Sequence, residues 1–249
     1  MSLMTAPADQ TPYRLENKEK NVQEMFSSIA GKYDLNNTLL SLGLHARWKT
    51  VLVNAAALRE NARVLDIASG TGDIAVKLAR KFHQGGKIVS SDLNREMLLV
   101  GKEKITLKGL SSQIAIARGK AEELQFKSGV FDLVTVGFGV RNFTDIPAAL
   151  AEVCRVLKPG GQFLCLEFSK PVHPVWQKLY DFYSYLFLPR VGKWISGDKT
   201  GVYNYLPDSI RKFPDQETFK GFMEKAGLVN CSYRNLSGGI VAIHSGFKP

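Results

Sequence analysis

The sequence predicts an α/β fold, a mostly parallel seven-stranded sheet of Rossmann-like form with helices on both faces and an antiparallel C-terminal hairpin strand. Three observations carry this. From residue 63 to 168, short apolar runs of strand length alternate with segments of helical periodicity, the pattern of βα units whose strands are buried on both faces. The first run, Val64-Leu65-Asp66-Ile67-Ala68, breaks into Ser69-Gly70-Thr71-Gly72-Asp73 and opens a helix. The last two runs are separated only by Ser237-Gly238-Gly239, which reads as a hairpin.

The elements follow in order. Residues 1–20 are polar, with Pro7 and Pro12, and read as a loose tail without the apolar core of a signal peptide. From Asn21 to Ala57 the pattern is helical: Val22, Met25, Phe26 and Ile29 share a face, and Leu39, Leu40, Leu42 and Leu44 precede a second helix carrying Trp48, Val51 and Leu52. This part is expected to form a lid. Strands are expected at Arg63–Ala68, Lys87–Asp92, Gln113–Arg118, Phe131–Phe138 and Gly161–Phe168. Helices are expected at Asp73–Phe82, Arg95–Leu107 and Asp145–Leu157, the last stopped by Lys158-Pro159-Gly160-Gly161. Residues 170–213 interrupt the alternation with an insert in which aromatics such as Trp176, Tyr180, Phe187 and Trp194 are interleaved with Lys178, Arg190, Lys193 and Arg211. A helix from Gln216 to Ala226 ends at Gly227, and strands Leu228–Leu236 and Ile240–Phe247 close a single domain over 21–249.

A chain of 249 residues with 45% hydrophobic and 22% charged residues has an ordinary globular composition. Its apolar runs are too short to span a bilayer. Cys154, Cys165 and Cys231 have no metal-ligand spacing and read as small buried hydrophobes of a reducing, cytoplasmic compartment, with no metal expected. The net charge of +10 points to an anionic partner, either nucleic acid or an acidic membrane surface.

Gly70-Thr71-Gly72-Asp73-Ile74-Ala75 matches the dinucleotide fingerprint, a weak signal alone. Asp73 stands at the helix N-terminus, where a pyrophosphate needs free positive potential, and Asp66 adds a second carboxylate at the strand end. Both repel a dianionic bridge and favour a cationic ligand such as S-adenosylmethionine. Asp92 then accepts the ribose hydroxyls, Met97 packs on adenine, and Gly119-Lys120-Ala121-Glu122 borders that ring.

Further motifs carry a resemblance. Phe26-Ser27-Ser28-Ile29-Ala30-Gly31-Lys32-Tyr33-Asp34, then Asn36-Asn37 and Ser41-Leu42-Gly43-Leu44-His45, resemble the N-terminal signature of the ubiquinone/menaquinone biosynthesis C-methyltransferases. So do Phe138-Gly139-Val140-Arg141-Asn142, Leu166-Glu167-Phe168-Ser169-Lys170-Pro171, Tyr205–Pro214 and Gly238–His244. The similarity runs from about residue 22 to the end. It implies a class I S-adenosylmethionine-dependent methyltransferase sheet and methyl transfer to a ring carbon of a polyprenylated quinol, demethylmenaquinol or a methoxy-polyprenyl-benzoquinol. The cofactor contacts it implies are Thr71 with its neighbours Gly70 and Gly72, Asp92, Lys120-Ala121 and Gly137. The family usually has Asn at 120 and Ser at 137. A lysine donates but cannot accept a hydrogen bond, and Gly137 lacks the hydroxyl.

Methylating a quinol carbon requires loss of a phenolic proton (pKa about 10) and an oxyanion partner. Arg141, permanently charged, is the candidate for that partner, Asn142 for orienting the quinol or a water, and Tyr33 with Asp34 for closing over the cofactor. His45 and His244 are left aside as structural. Three readings stay open: the quinol C-methyltransferase; a nucleic-acid methyltransferase, against which strand four lacks a Pro-Pro-aromatic clamp; and a nicotinamide oxidoreductase. On the leading reading no nucleic acid is expected, the insert touches anionic lipid at the inner face of the cytoplasmic membrane, and a homodimer is left open.

Overall fold

The computed structural model describes residues 18–82, 85–172 and 202–249. The N-terminal part holds α1 (Lys18–Ile29), a 3-10 turn (Ala30–Lys32), α2 (Tyr33–Leu40) and α3 (Leu44–Asn54). Then come β1 (Arg63–Ile67), α4 (Asp73–Lys81), β2 (Lys87–Asp92), α5 (Arg95–Leu107), β3 (Ile114–Arg118), β4 (Phe131–Gly137), a 3-10 turn (Val140–Asn142), α6 (Ile146–Val156) and β5 (Leu157–Phe168). After residues 173–201, α7 (Val202–Lys212), α8 (Gln216–Lys225), β6 (Val229–Leu236) and β7 (Val241–Phe247) complete the chain. Residues 1–17 of the expected tail and most of the aromatic insert lie outside the described residues, whereas Lys18–Lys20 belong to α1.

The seven strands order as β3-β2-β1-β4-β5-β7-β6. β1 pairs in parallel with β2 and β4, β4 with β5, and only β7 runs against its neighbours. Strand order therefore reverses between β1 and β4, and the crevice beyond their carboxyl ends is where such sheets bind ligands. One apolar core packs α3 and α4 on one face, with Trp48, Leu52, Val64, Leu78 and Leu164. The other packs α6 and α8, with Leu65, Val134, Val153, Phe163 and Phe219. Val22 and Met25 of α1 meet Tyr205 of α7 in a small third cluster. No helix among the described residues is long and apolar enough to cross a membrane.

Helix starts follow local chemistry. Asn94, Asp145 and Asp215 each accept a hydrogen bond from the amide three residues on, the usual N-cap arrangement. One expected boundary is corrected. Lys158-Pro159-Gly160-Gly161 does not separate α6 from β5 but forms a bulge inside it. Leu157 pairs with Phe131 and Gln162 with Leu133, and the residues between loop out of register. Gly160 takes φ +72° there, which glycine adopts without a Cβ penalty.

Candidate active site

The cofactor cleft is built from four strand ends. After β1, Gly70 and Gly72 take φ +56° and +75°, so the chain turns sharply into α4. A Cβ on Gly70 would come within 3.2 Å of Met97 Cε, and Met97 itself lines the cleft. After β2, Asp92 accepts the Gly70 N–H at 2.8 Å on one oxygen and the Asn94 N–H at 2.7 Å on the other. Burial pushes its carboxyl above the usual value, and those amides partly counter the rise. A carboxylate has about four lone-pair sites, so both oxygens can still accept from a vicinal diol. Gly119, Lys120 and Ala121 after β3, and Gly137 at the end of β4 with Asn142 beyond it, complete a cleft of about 950 Å³ counted to its open mouth.

The loop's own hydrogen bonds decide which ligand it suits. Ser69 donates to Ser91 O, Gly70 to Asp92 and Gly72 to Ser69 O. These amides are used internally, whereas a pyrophosphate-binding loop needs them free. A diol acceptor with no phosphate cradle fits S-adenosylmethionine.

Helix α1 roofs this cleft through Glu19, Val22, Gln23 and Phe26. Lys18 donates to the carbonyls of Arg141 and Phe143, and the Asn94 amide donates to Gln23 O and Ser27 Oγ. Lys120 pairs with Glu19 at 2.5 Å, and that hydrogen bond raises its pKa. Lys120, one of the two positions that depart from the resemblance, therefore ties the roof to the loop after β3.

A second cavity, about 990 Å³ to its mouth and walled mostly by apolar side chains, lies alongside. Trp48, Phe138 and Phe168 form an aromatic group with ring centroids 4.8–6.3 Å apart. Arg141 also lines it, its guanidinium 5.3 Å above the Phe168 ring. Arg141 Nη1 donates to Glu167 Oε1 at 2.8 Å and to Phe138 O at 2.5 Å. Burial opposes its charge, but Glu167, Tyr33 and Tyr205 outweigh burial and hold the proton more firmly. Tyr33, Lys49 and Phe138 line both cavities and form the wall between them.

The expected site residues divide between these spaces. Gly70, Thr71, Asp92, Met97, Lys120, Ala121, Gly137 and Asn142 line the cofactor cleft, Arg141 the apolar cavity, and Tyr33 both. Gly72 supports the turn from behind. Thr71 donates to Asp34 at 2.7 Å and accepts from Lys104, which binds α2 onto the loop. Asn142 Oδ1 accepts from the Tyr205 hydroxyl at 2.8 Å.

Two expectations are corrected. Asp66 does not line the cleft: it is fully buried in the sheet and accepts from Thr135, its cross-strand partner, at 2.7 Å. Desolvation pushes its pKa up to about 7, so it is not a fixed anion. Asp73 is an anion but not a free one. Burial pulls its pKa up, while Lys49 at 2.8 Å and Lys104 at 2.7 Å outweigh burial and hold the carboxyl below the usual range. Their charges cancel the repulsion toward a pyrophosphate, and the engaged loop amides carry that discrimination instead.

Sequence reading missed Lys49, Trp48, Glu167 and Phe168 as site residues. The available signals were a glutamate inside the apolar run Phe163–Phe168 and a lysine next to the buried face of α3. His45 lines the apolar cavity; its Nε2 lies 3.1 Å from Thr38 Oγ1, and burial, with Lys49 nearby, lowers its pKa. His244 is buried in the α8–β7 core, against Phe219 and Tyr233. The three cysteines are free, and no metal-binding cluster occurs among the described residues.

Known proteins place this geometry. The chain is 49% identical over 233 residues to the ubiquinone/menaquinone biosynthesis C-methyltransferase UbiE of Francisella tularensis subsp. novicida, covering 94% of this chain and 93% of that protein. It is 48% identical to UbiE of Pectobacterium carotovorum, covering 94% and 92%. A solved S-adenosylmethionine-dependent methyltransferase from Aquifex aeolicus shares the fold at a TM-score of 0.58 and 16% identity, over 78% of this chain and 85% of that one. The sequence model of the ubiE/COQ5 methyltransferase family matches residues 14–248, and the chain belongs to that family.

Proposed function

We propose that this protein transfers a methyl group from S-adenosylmethionine to a ring carbon of a polyprenylated quinol in menaquinone or ubiquinone biosynthesis. The observation that carries this is the shared wall: a diol-binding cleft and an apolar, aromatic-lined cavity meet at Tyr33, Lys49 and Phe138. When bound, S-adenosylmethionine supplies an electrophilic methyl on a sulfonium, which the quinol carbon takes up as the S–CH3 bond breaks. Asp92 would hold the ribose, Met97 the adenine face, and the Gly70–Gly72 turn the methionine end. Trp48, Phe138 and Phe168 would hold the quinol ring against the wall, so that positioning supplies much of the acceleration.

Arg141 is the proposed oxyanion partner. Its charge is fixed by Glu167 and it faces the apolar cavity, where low dielectric strengthens its pull on a developing phenolate. Asn142, held by Tyr205, would orient the water that carries the proton away. Tyr33 and Asp34 would close α2 over the loop as a lid, through Thr71 and Lys104. The net charge of +10 supports peripheral contact with anionic membrane from the cytoplasmic side, where a prenylated substrate resides; a homodimer is compatible with this arrangement.

The test is direct. Purified protein is incubated with methyl-labelled S-adenosylmethionine and reduced short-chain demethylmenaquinol or benzoquinol, and products are read by mass spectrometry. A methylated ring is expected. Labelled nucleic acid instead, or NADH binding without S-adenosylmethionine binding, would sink the proposal. Quinones extracted from a strain lacking the protein identify which demethylated precursor accumulates.

A further inference from the structure

Helix α2 is built inside out. Its one buried residue is Asn36, whose side-chain amide finds no hydrogen-bond partner on either atom among the described residues. Leu35 and Leu39, one turn apart, are instead 55% and 41% exposed. Leu42 in the turn that follows and Leu44 at the start of α3 are 80% and 40% exposed. A helix on a water-facing surface normally buries its leucines and exposes its amides. Of nine exposed large apolar residues among those described, four fall in this ten-residue stretch, so they form a patch and not a scatter.

We infer that Leu35, Leu39, Leu42 and Leu44 form a docking surface for a lipid bilayer, placed at the mouth of the apolar cavity so that a prenylated quinol passes from membrane to site. The patch is continuous with that cavity, since Leu40, Leu42 and Leu44 line it while Leu42 stands mostly in the open. Exposed Lys32 and Arg47 flank it, the residue type that reaches lipid phosphates beside a shallowly inserted apolar face. The chain's charge of +10 has the sign for an anionic leaflet. A second copy of the chain is a poorer occupant, because a stable interface needs roughly 800 Å² per partner, more than four partly exposed leucines offer. The inference rests on the proposed prenylated substrate, and its test separates the two.

Full-length protein is floated with vesicles of phosphatidylglycerol and phosphatidylethanolamine and compared with Leu35→Gln/Leu39→Gln, whose altered side chains line neither cavity. The partition of the double variant is expected to fall at least about tenfold, since each leucine carries a substantial part of the burial energy. Methylation of a short-chain, water-soluble quinol should stay within about twofold of wild type. Methylation of a long-chain quinol supplied in vesicles should fall with the partition. If the double variant does not fold, as read by circular dichroism, Leu39→Trp replaces it, and its added emission should shift to the blue when vesicles are mixed in. Undiminished flotation of the double variant, or no shift for Leu39→Trp, overturns the inference. So does a wild-type dimer that the double variant dissociates. Absence of methylation on the short-chain quinol by wild type refutes the proposed function, while flotation still reads the surface.

Discussion

Replacing Glu167 by alanine tests the idea that a buried counter-charge holds Arg141. The side chains of Arg141 and Glu167 are 7% and 1% exposed and meet at 2.8 Å. Glu167 also accepts from the Arg141 amide at 3.3 Å and the Phe168 amide at 2.9 Å. Removing it leaves a guanidinium in the protein interior with Phe138 O as its remaining hydrogen-bonded acceptor among the described contacts. Breaking a buried pair from one side costs about 3–5 kcal/mol. In a domain of this size each kcal/mol lowers the melting temperature by about 2–4 °C, so Glu167→Ala should melt on the order of 10 °C below wild type. Glu167→Gln keeps an acceptor but no charge and should lose about 1.5–3 kcal/mol. The companion is Arg141→Met/Glu167→Leu, which removes both charges and should recover much of the loss. Urea unfolding of wild type, Arg141→Met, Glu167→Leu and the double variant gives the cycle. If Glu167→Ala lies within about 1 kcal/mol of wild type, or the double variant is no better than the single, then Glu167 is not what offsets the burial of Arg141.

His244 should make stability depend on acid. Its pKa falls to about 4 through burial, below its unfolded value, so its contribution is complete above about pH 6.5 and is lost as pH drops from there toward 4. The loss reaches about 2 kcal/mol at pH 5 and about 3 kcal/mol near pH 4, and the difference between wild type and His244→Phe in urea midpoints at pH 7 and pH 5 should show the first of these; a difference independent of pH refutes it. Asp66 has the opposite sign. With its pKa at about 7, its stabilising protonated form is lost as pH rises through 7, so Asp66→Asn should gain on wild type by up to about 4 kcal/mol at pH 8 and lose that advantage toward pH 4, as followed by melting curves. At Gly137 a Cβ would sit 2.4 Å from Ile74 Cδ1. Gly137→Ser should therefore destabilise by about 1–3 kcal/mol, and Ile74→Val, which removes that methyl, should suppress much of it; purely additive losses would mean that the clash is not with Ile74.

The parallel sheet was legible because its strands are short apolar runs separated by helix-period segments, a pattern set by burial on both faces. What escaped were features fixed by packing between distant segments. Lys158–Gly161 carries every local mark of a stop, yet pairing of Leu157 with Phe131 and of Gln162 with Leu133 draws it into β5. Asp66 was misread because strand position alone does not reveal which face of the sheet a side chain takes. The pairing of Asp66 with Thr135 decides that. Lys49 and Glu167 lie 118 residues apart in sequence and carry no motif of their own. Each becomes a site residue only when α3 and β5 are brought to the same end of the sheet. The leucines of α2 were visible, but their direction was not.

Two non-glycine residues with positive φ stand at the switch point of the sheet: Ala68 at +47° after β1 and Phe138 at +60° after β4. A bulky residue in this region is an outlier, and each such residue costs about 1–3 kcal/mol. Phe138 is held there from several sides. Its amide donates to Leu166 O at 2.7 Å, its carbonyl accepts from Arg141 Nη1, and its ring packs on Trp48 and Phe168. Gly139 beside it has no room for a side chain, since a Cβ would stand 2.6 Å from that of Ala68. The reversal puts the Phe138 ring between the cofactor cleft and the apolar cavity, where a residue continuing β4 in extended form would be carried past the crevice. On this view Arg141 has two tasks from one guanidinium: it faces the apolar cavity as a cation, and it holds the carbonyl of the strained residue that forms the wall. The strain therefore belongs to the site, and the ion pair with Glu167 is what fixes its geometry.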